Sequence, residues 1–331
     1  MTNDFDLSGL GMQDACIGNT PLIELDASKG VNRHRVFAKC EYKNPTGSHY
    51  DRVYARLFSA MERSGEITRG VTPLVEASSG NAAASFAWFC AQLGYPCTIF
   101  LPRRIPETFV AHIATQNPKA QIVIADLNCY LKGAVHTMQR FLVTHRDHKC
   151  MNHSRRPETL AATATIATEA LEQVHHQFGL PSFDRFIAAC GNGATIVGPG
   201  PVLKRANPAL DLVIFEPAVA PVAAPILEST SASCPEGGFQ YHPLYGTGAW
   251  GVAFPFLTKP AFGFRRLVTK HVLMSSSEIE ESLSFHAEVG FPVGNTSLAA
   301  LHLARKLAVP DGSSTLIILY DDGRKYGRGS D

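Results

Sequence analysis

Short β-branched and aliphatic runs recur along the chain: Leu74-Val75-Glu76, Cys97-Thr98-Ile99-Phe100-Leu101, Ile122-Val123-Ile124-Ala125, Phe186-Ile187-Ala188-Ala189, Leu212-Val213-Ile214-Phe215 and Leu316-Ile317-Ile318-Leu319-Tyr320. The runs are nearly continuous rather than alternating, the pattern of parallel strands covered on both faces. Helical spacing fills the intervals. Asn81 stands where it can cap a helix over Ala82–Leu93, with Gly94 supplying a left-handed stop before Tyr95-Pro96. A second helix is predicted from Thr108 to about Asn117, and a third through Gly133 to Leu142. The polar run Thr144-His145-Arg146-Asp147-His148-Lys149 then breaks the pattern, so a lobe closes near position 150 and the later strands build a second sheet. The fold class is α/β, with parallel-rich sheets flanked by helices.

Length and composition narrow the function. A chain of 331 residues exceeds the size at which one core usually keeps growing, so two lobes with a cleft between them are expected. A formal charge of +1 offers no basic field for nucleic acid, which leaves a small molecule or another protein as partner. No apolar run approaches the roughly 20 residues of a membrane span, and the start Met1-Thr2-Asn3-Asp4-Phe5-Asp6 lacks the features of a signal peptide. A cytoplasmic protein without membrane contact is the expectation. Cysteines 16, 40, 90, 97, 129, 150, 190 and 234 form no Cys-x-x-Cys pair, and the histidines show no ligand spacing, so reduced thiols and no metal site are expected.

Several segments carry chemistry. Glu76-Ala77-Ser78-Ser79-Gly80-Asn81-Ala82 ends a strand and opens a helix, a turn that aims unpaired N–H groups and a positive helix end at an anion. Cys190-Gly191-Asn192-Gly193-Ala194-Thr195 also follows a strand, and its small residues let backbone N–H groups converge on a phosphate. Each segment has a plainer reading as a capped turn. Together with Ile17-Gly18-Asn19-Thr20-Pro21-Leu22, Asn44-Pro45-Thr46-Gly47-Ser48-His49-Tyr50-Asp51-Arg52, Gly246-Thr247-Gly248, Pro292–Ser297 and Leu319-Tyr320-Asp321-Asp322-Gly323, they resemble, in order, the segments of fold type II pyridoxal-phosphate enzymes, the cysteine synthase, cystathionine β-synthase and threonine synthase group.

That resemblance implies a two-domain tryptophan synthase β-like fold. A smaller α/β domain at 42–151 would be inserted into a larger one formed by 1–41 and 152–331, and such proteins are usually homodimers. It also implies site roles. Asn81 would lie beside the pyridoxal ring, and Ser78, Ser79, Gly80 and Ala82 would face a substrate carboxylate, with Asn152 nearby. Gly191, Asn192, Gly193, Ala194 and Thr195 would hold the phosphate, and Gly246 would pass beside the ring. Asp321 would meet the pyridine nitrogen, unless it belongs to a solvated acidic turn. Ala194 replaces a glycine there, which suits a phosphate only if its φ stays negative.

One position departs decisively. The family has a Schiff-base lysine where Tyr50 stands, and a phenol cannot form an imine. Tyr50, with His49 beside it, is then either a new catalytic group or packing in the lysine's channel. Half-ionising Tyr50 at pH 7 would need about 4 kcal/mol from its surroundings, so a neutral hydrogen-bond donor is the less demanding role. Lys39 on its strand and Lys43 before Pro45 are poor substitutes for the lysine. The expected function is a cysteine synthase-like lyase or transferase acting on an amino acid or related carboxylate by α,β-elimination or β-replacement. It would work without an internal aldimine, with pyridoxal 5′-phosphate bound noncovalently or dispensed with. The alternatives are a non-catalytic ligand-binding or regulatory relative and a Lys-to-Tyr inactivated variant.

Overall fold

A computed structural model describes residues 8–12, 14–25, 34–78, 80–230, 242–244, 246–248 and 252–326. Ser79 and Cys234, singled out above, lie outside the described residues. The apolar runs become strands of two sheets. In the larger, β1 (Leu22–Leu25), β2 (Arg35–Lys39), β7 (Arg185–Ala189), β8 (Asp211–Pro217), β9 (Lys270–Met274) and β10 (Ser314–Ile318) run in the order β1-β2-β10-β7-β8-β9. All pairs are parallel except β1 with β2. The smaller sheet, wholly parallel, orders β3 (Leu74–Ala77), β4 (Cys97–Leu101), β5 (Gln121–Ile124) and β6 (Lys149–Cys150) as β5-β4-β3-β6.

The central strands are buried along their whole length, as their unbroken apolar sequences require. Edge strands β5 and β9 are half-exposed. One core gathers Phe37, Phe186, Phe215, Leu316 and Ile317 of the large sheet with Ile166, Ala170 and Val174 of helix α5 (Pro157–Phe178). A second gathers Leu74 and Ile99 with α1 (Tyr50–Arg63) and α2 (Asn81–Leu93), where the Phe58 and Phe89 rings stack at 5.4 Å. Burying one such ring contributes roughly 1.5–3 kcal/mol.

Helix α2 ends as expected, Gly94 taking φ 75 and donating its N–H to the Cys90 carbonyl. Its start differs from expectation. The cap position is Gly80, and Asn81 is the first helical residue with no capping bond. The Ser78 hydroxyl instead accepts from the N–H groups of Gly80 (3.3 Å) and Ala83 (3.1 Å). Asn81 is thereby released to point elsewhere. No helix among the described residues is long and apolar enough to cross a membrane.

A buried ion network ties the sheets together. Arg52 of α1, with no exposed side-chain surface, donates to both Glu41 oxygens (2.7 and 2.8 Å) and both Glu169 oxygens (2.6 and 2.7 Å), and Lys39 pairs with Glu169 at 2.7 Å. Lys39 also donates to the Thr20 carbonyl and to Gln173, and it does not line the cleft described below. Lys43 lies over the Tyr42 ring, 5.1 Å from its centre.

Candidate active site

In open α/β sheets, ligands bind beyond the carboxyl ends of the strands. The chain segments leaving β3, β6, β7 and β10 converge on one solvent-open cleft. Of the residues singled out in the sequence, His49, Tyr50, Ser78, Gly80, Asn81, Ala82, Gly191, Asn192, Thr195, Gly246 and Asp321 line it. Gly193 and Ala194 complete the loop between its walls. Asn152 does not belong to the cleft. It takes φ 57 and lines a neighbouring recess with Arg155 and Met138, because the left-handed turn it makes sends the following residues inward instead.

The 191–195 loop is a tight turn that leads from β7 into a short helix. Gly193 adopts φ 87, and a Cβ there would come within 2.4 Å of the Leu257 side chain, so only glycine fits. Ala194 opens the short helix α6 (Ala194–Val197) in helical conformation, which meets the condition set by its replacing a glycine. Its N–H is taken by the Asn192 side-chain oxygen at 3.0 Å. Among the described residues, no protein group accepts from the backbone N–H of Asn192, Gly193 or Thr195. Such unspent donors are what a phosphate or carboxylate needs.

Across the cleft, Asn81 donates to Asp321 at 2.9 Å. The ammonium of Lys325, whose side chain is only 3% exposed, donates to both Asn81 and Asp321, and Tyr326 donates to Asp321 at 3.0 Å. Burial lowers the Lys325 pKa, against the pull of Asp321. All three of these bonds on Asp321 fall on one oxygen, and the other carboxylate oxygen is buried without a partner. A buried acceptor left unpaired costs about 1–3 kcal/mol, so this oxygen is an unfilled position for a donor. Asp321 is therefore not a solvated turn residue; it is 2% exposed.

Tyr50 opens α1 on the cleft wall. Its ring lies 4.3 Å from the His49 ring and meets His153 edge to face at 5.5 Å. Burial first, then the neighbouring Tyr130 and Glu76, pushes the phenol above its ordinary range. Arg52, two residues on, is engaged by Glu41 and Glu169 instead of the phenol. The Tyr50 phenol is therefore protonated at pH 7. Burial lowers the His49 pKa to about 4, so its imidazole is uncharged there.

A pH dependence follows. A histidine held neutral in the fold takes up its proton in the unfolded chain below about 6.5. His49 therefore contributes full stability above pH 6.5 and loses it as pH falls through 6.5 towards 4, on the order of 3 kcal/mol in all. Denaturant unfolding of wild type and His49→Gln across that window should show the wild type losing stability more steeply.

The Thr247 and Thr296 hydroxyls, from two of the segments singled out in the sequence, meet at 3.2 Å. Several other cleft residues were not marked in the sequence. Tyr130, at φ 45, accepts from the Gly246 N–H at 2.7 Å. His153 and Ser154 also line the cleft. None of these sits in a local pattern that separates it from an ordinary loop residue.

The chain resembles known enzymes over nearly its whole length. The pyridoxal-phosphate dependent enzyme family matches residues 14–321. Cysteine synthase of Staphylococcus aureus is 26% identical over 310 residues, covering 94% of this chain and 93% of that protein. Cysteine synthase B of Campylobacter jejuni is 28% identical over 320 residues, 94% of each. The crystal structure of the O-acetylserine dependent cystathionine beta-synthase from Helicobacter pylori superposes with a TM-score of 0.79 at 24% identity, over 96% of this chain and 97% of that one. The α/β fold with its two parallel-rich sheets is thus that of the cysteine synthases, and the chain belongs to the pyridoxal-phosphate dependent enzyme family.

Proposed function

We propose that the cleft is a cysteine synthase-like site acting on an amino acid or related carboxylate by α,β-elimination or β-replacement, with no covalent link between protein and cofactor. The observation that carries this reading is the cleft lining, which contains Tyr50 and, among the described residues, no lysine. In this reading residues 42–151 form the smaller inserted lobe.

The residues present suit pyridoxal phosphate as a noncovalent ligand. The unspent N–H groups of Asn192, Gly193 and Thr195 match its phosphate, and the unpaired Asp321 oxygen matches a protonated ring nitrogen. Bound there, the ring would supply an electron sink for bonds at the substrate's α-carbon. The chain's own residues do the rest. The backbone N–H groups of Asn81 and Ala82, which no described group occupies, face a carboxylate at the positive end of α2. The protonated Tyr50 hydroxyl would donate to the substrate, and neutral His49 beside it has a ring nitrogen able to accept a proton.

One observation favours a second version in which the ring is dispensed with. Asn81 and Asp321 already bond one another, and Lys325 holds both. Equilibrium dialysis against pyridoxal phosphate and against inorganic phosphate separates the versions. The leading reading expects saturable binding of pyridoxal phosphate, released intact on denaturation. Binding of phosphate with none of pyridoxal phosphate selects the second version, and binding of neither removes both.

A further inference from the structure

The segment leaving β6 carries a chain of hydrogen bonds that the proposed reaction does not use. Glu76, at the buried end of β3 and 3% exposed, places a carboxylate oxygen 3.1 Å from His153 Nδ1. The same oxygen receives the Tyr54 hydroxyl and the His153 backbone N–H, both at 3.3 Å, while the other takes the Ala77 N–H at 3.0 Å. Tyr54 OH also lies 3.3 Å from Nδ1. A carboxylate at Nδ1 fixes the tautomer with the proton on that nitrogen, leaving the Nε2 lone pair free. Ser154 Oγ stands 3.1 Å from Nε2, with its oxygen in the cleft wall.

The surroundings of Ser154 are those a nucleophile needs. Asn192 Nδ2 donates to Ser154 Oγ at 3.3 Å, and the Asn192 side chain is oriented by the bond from its own oxygen to the Ala194 N–H. The hydroxyl therefore accepts from Asn192 and has its proton directed at His153. The unspent N–H groups of the 192–195 loop follow directly, available to an oxygen that gains negative charge. The turn itself is held. Asn152 takes φ 57, its carbonyl accepts from Arg155 at 3.0 Å, and the His153 carbonyl accepts from the Thr159 hydroxyl at 2.7 Å. A non-glycine residue at positive φ next to adjacent reactive side chains is the kind of local strain that gathers at active sites.

We infer that Ser154, His153 and Glu76 form a nucleophile, base and orienting acid that give this cleft an acyl-transfer activity towards small esters, independent of any cofactor. Ser154 Oγ bonds to the ester carbonyl carbon while its proton passes to His153 Nε2. The carbon–oxygen bond to the alcohol breaks, and the alcohol oxygen leaves with the proton from His153. Water then attacks the acyl-serine, delivering a proton through His153 back to Ser154 and releasing the carboxylic acid. Glu76 exchanges no proton with the substrate and holds the imidazole in place. The net reaction is ester plus water to acid plus alcohol.

The test uses the full chain with no cofactor added, so its outcome does not depend on whether pyridoxal phosphate binds. An alkyl fluorophosphonate, which loses fluoride to an activated serine, is followed by peptide mass spectrometry, and p-nitrophenyl acetate hydrolysis is followed in parallel. The expected result is a single phosphonyl group on Ser154, with both reactions slowed at least about 100-fold in Ser154→Ala and in His153→Ala. Ser154→Ala removes only one partly exposed hydroxyl, and circular dichroism checks that the variant is folded. A folded wild type that leaves Ser154 unlabelled, or a Ser154→Ala protein that hydrolyses the ester as fast as wild type, overturns the inference.

Discussion

Tyr50→Lys is expected to turn a protein that forms no covalent adduct with pyridoxal phosphate into one that forms it stoichiometrically, with a new visible absorption band and a borohydride-stable modification at position 50. The reasons are local. Position 50 opens α1 on the wall of the cleft that Asn81, Asp321, Gly191, Asn192 and Thr195 also line. A lysine there would be substantially desolvated, which favours the neutral amine that attacks an aldehyde. The proposed phosphate loop already has a left-handed Gly193 and N–H groups that no described residue occupies. Absorbance titration and peptide mass spectrometry check the result. A folded variant that gives no adduct would mean that the cleft has lost its arrangement for the cofactor.

The second large effect concerns stability. Arg52→Met is expected to cost about 3–5 kcal/mol, because it leaves Glu41, with no exposed side-chain surface, buried beside no guanidinium. Burial alone would raise the Glu41 pKa, but Arg52 overcomes it and, with Lys39 and Thr20, holds the carboxyl at about 2. A depressed acid contributes stability that is complete above its unfolded value, near 4.5, and is lost as pH falls through 4.5 towards 2. In Arg52→Met that acid dependence should largely disappear. Because unfolding entropy scales with length, a 331-residue chain loses about 1–2 °C of Tm per kcal/mol, so a drop of about 6 °C is expected in a thermal scan. Adding Glu41→Gln should recover part of it, since the uncompensated charge is then gone. A loss below about 1 kcal/mol would show that the network is solvated.

Much of this was legible in the sequence, for identifiable reasons. Strands such as Arg185–Ala189 and Ser314–Ile318 are buried on both faces, so their apolar runs are unbroken and announce themselves. The edge strand Lys270–Met274 is half-exposed and mixed in polarity, and Lys149–Cys150 is short and follows a polar run, so neither stands out. In the site, the glycine loops were readable because backbone conformation constrains residue type. Side-chain direction was not. Asn81 looked like a cap, yet the cap lies at Gly80 and the Ser78 hydroxyl takes the donors, which frees Asn81 to meet Asp321. Asn152 looked like a ligand contact, yet its backbone turns left-handed and presents His153 and Ser154 instead. Lys325 lies four residues beyond Asp321, a separation that marks a pair only once the chain is known to make a helical turn there.

The central claim is that this cleft has a phenol where an imine-forming amine would be, with its anion cradle intact. The most direct test is to incubate the wild-type protein with pyridoxal phosphate, reduce with borohydride, denature, and map every lysine by mass spectrometry. The account predicts that the cofactor comes away free, with no modified lysine beyond the scattered surface labelling also seen in unfolded protein. A stoichiometric pyridoxyl group on Lys325, Lys39 or any other single lysine would contradict it.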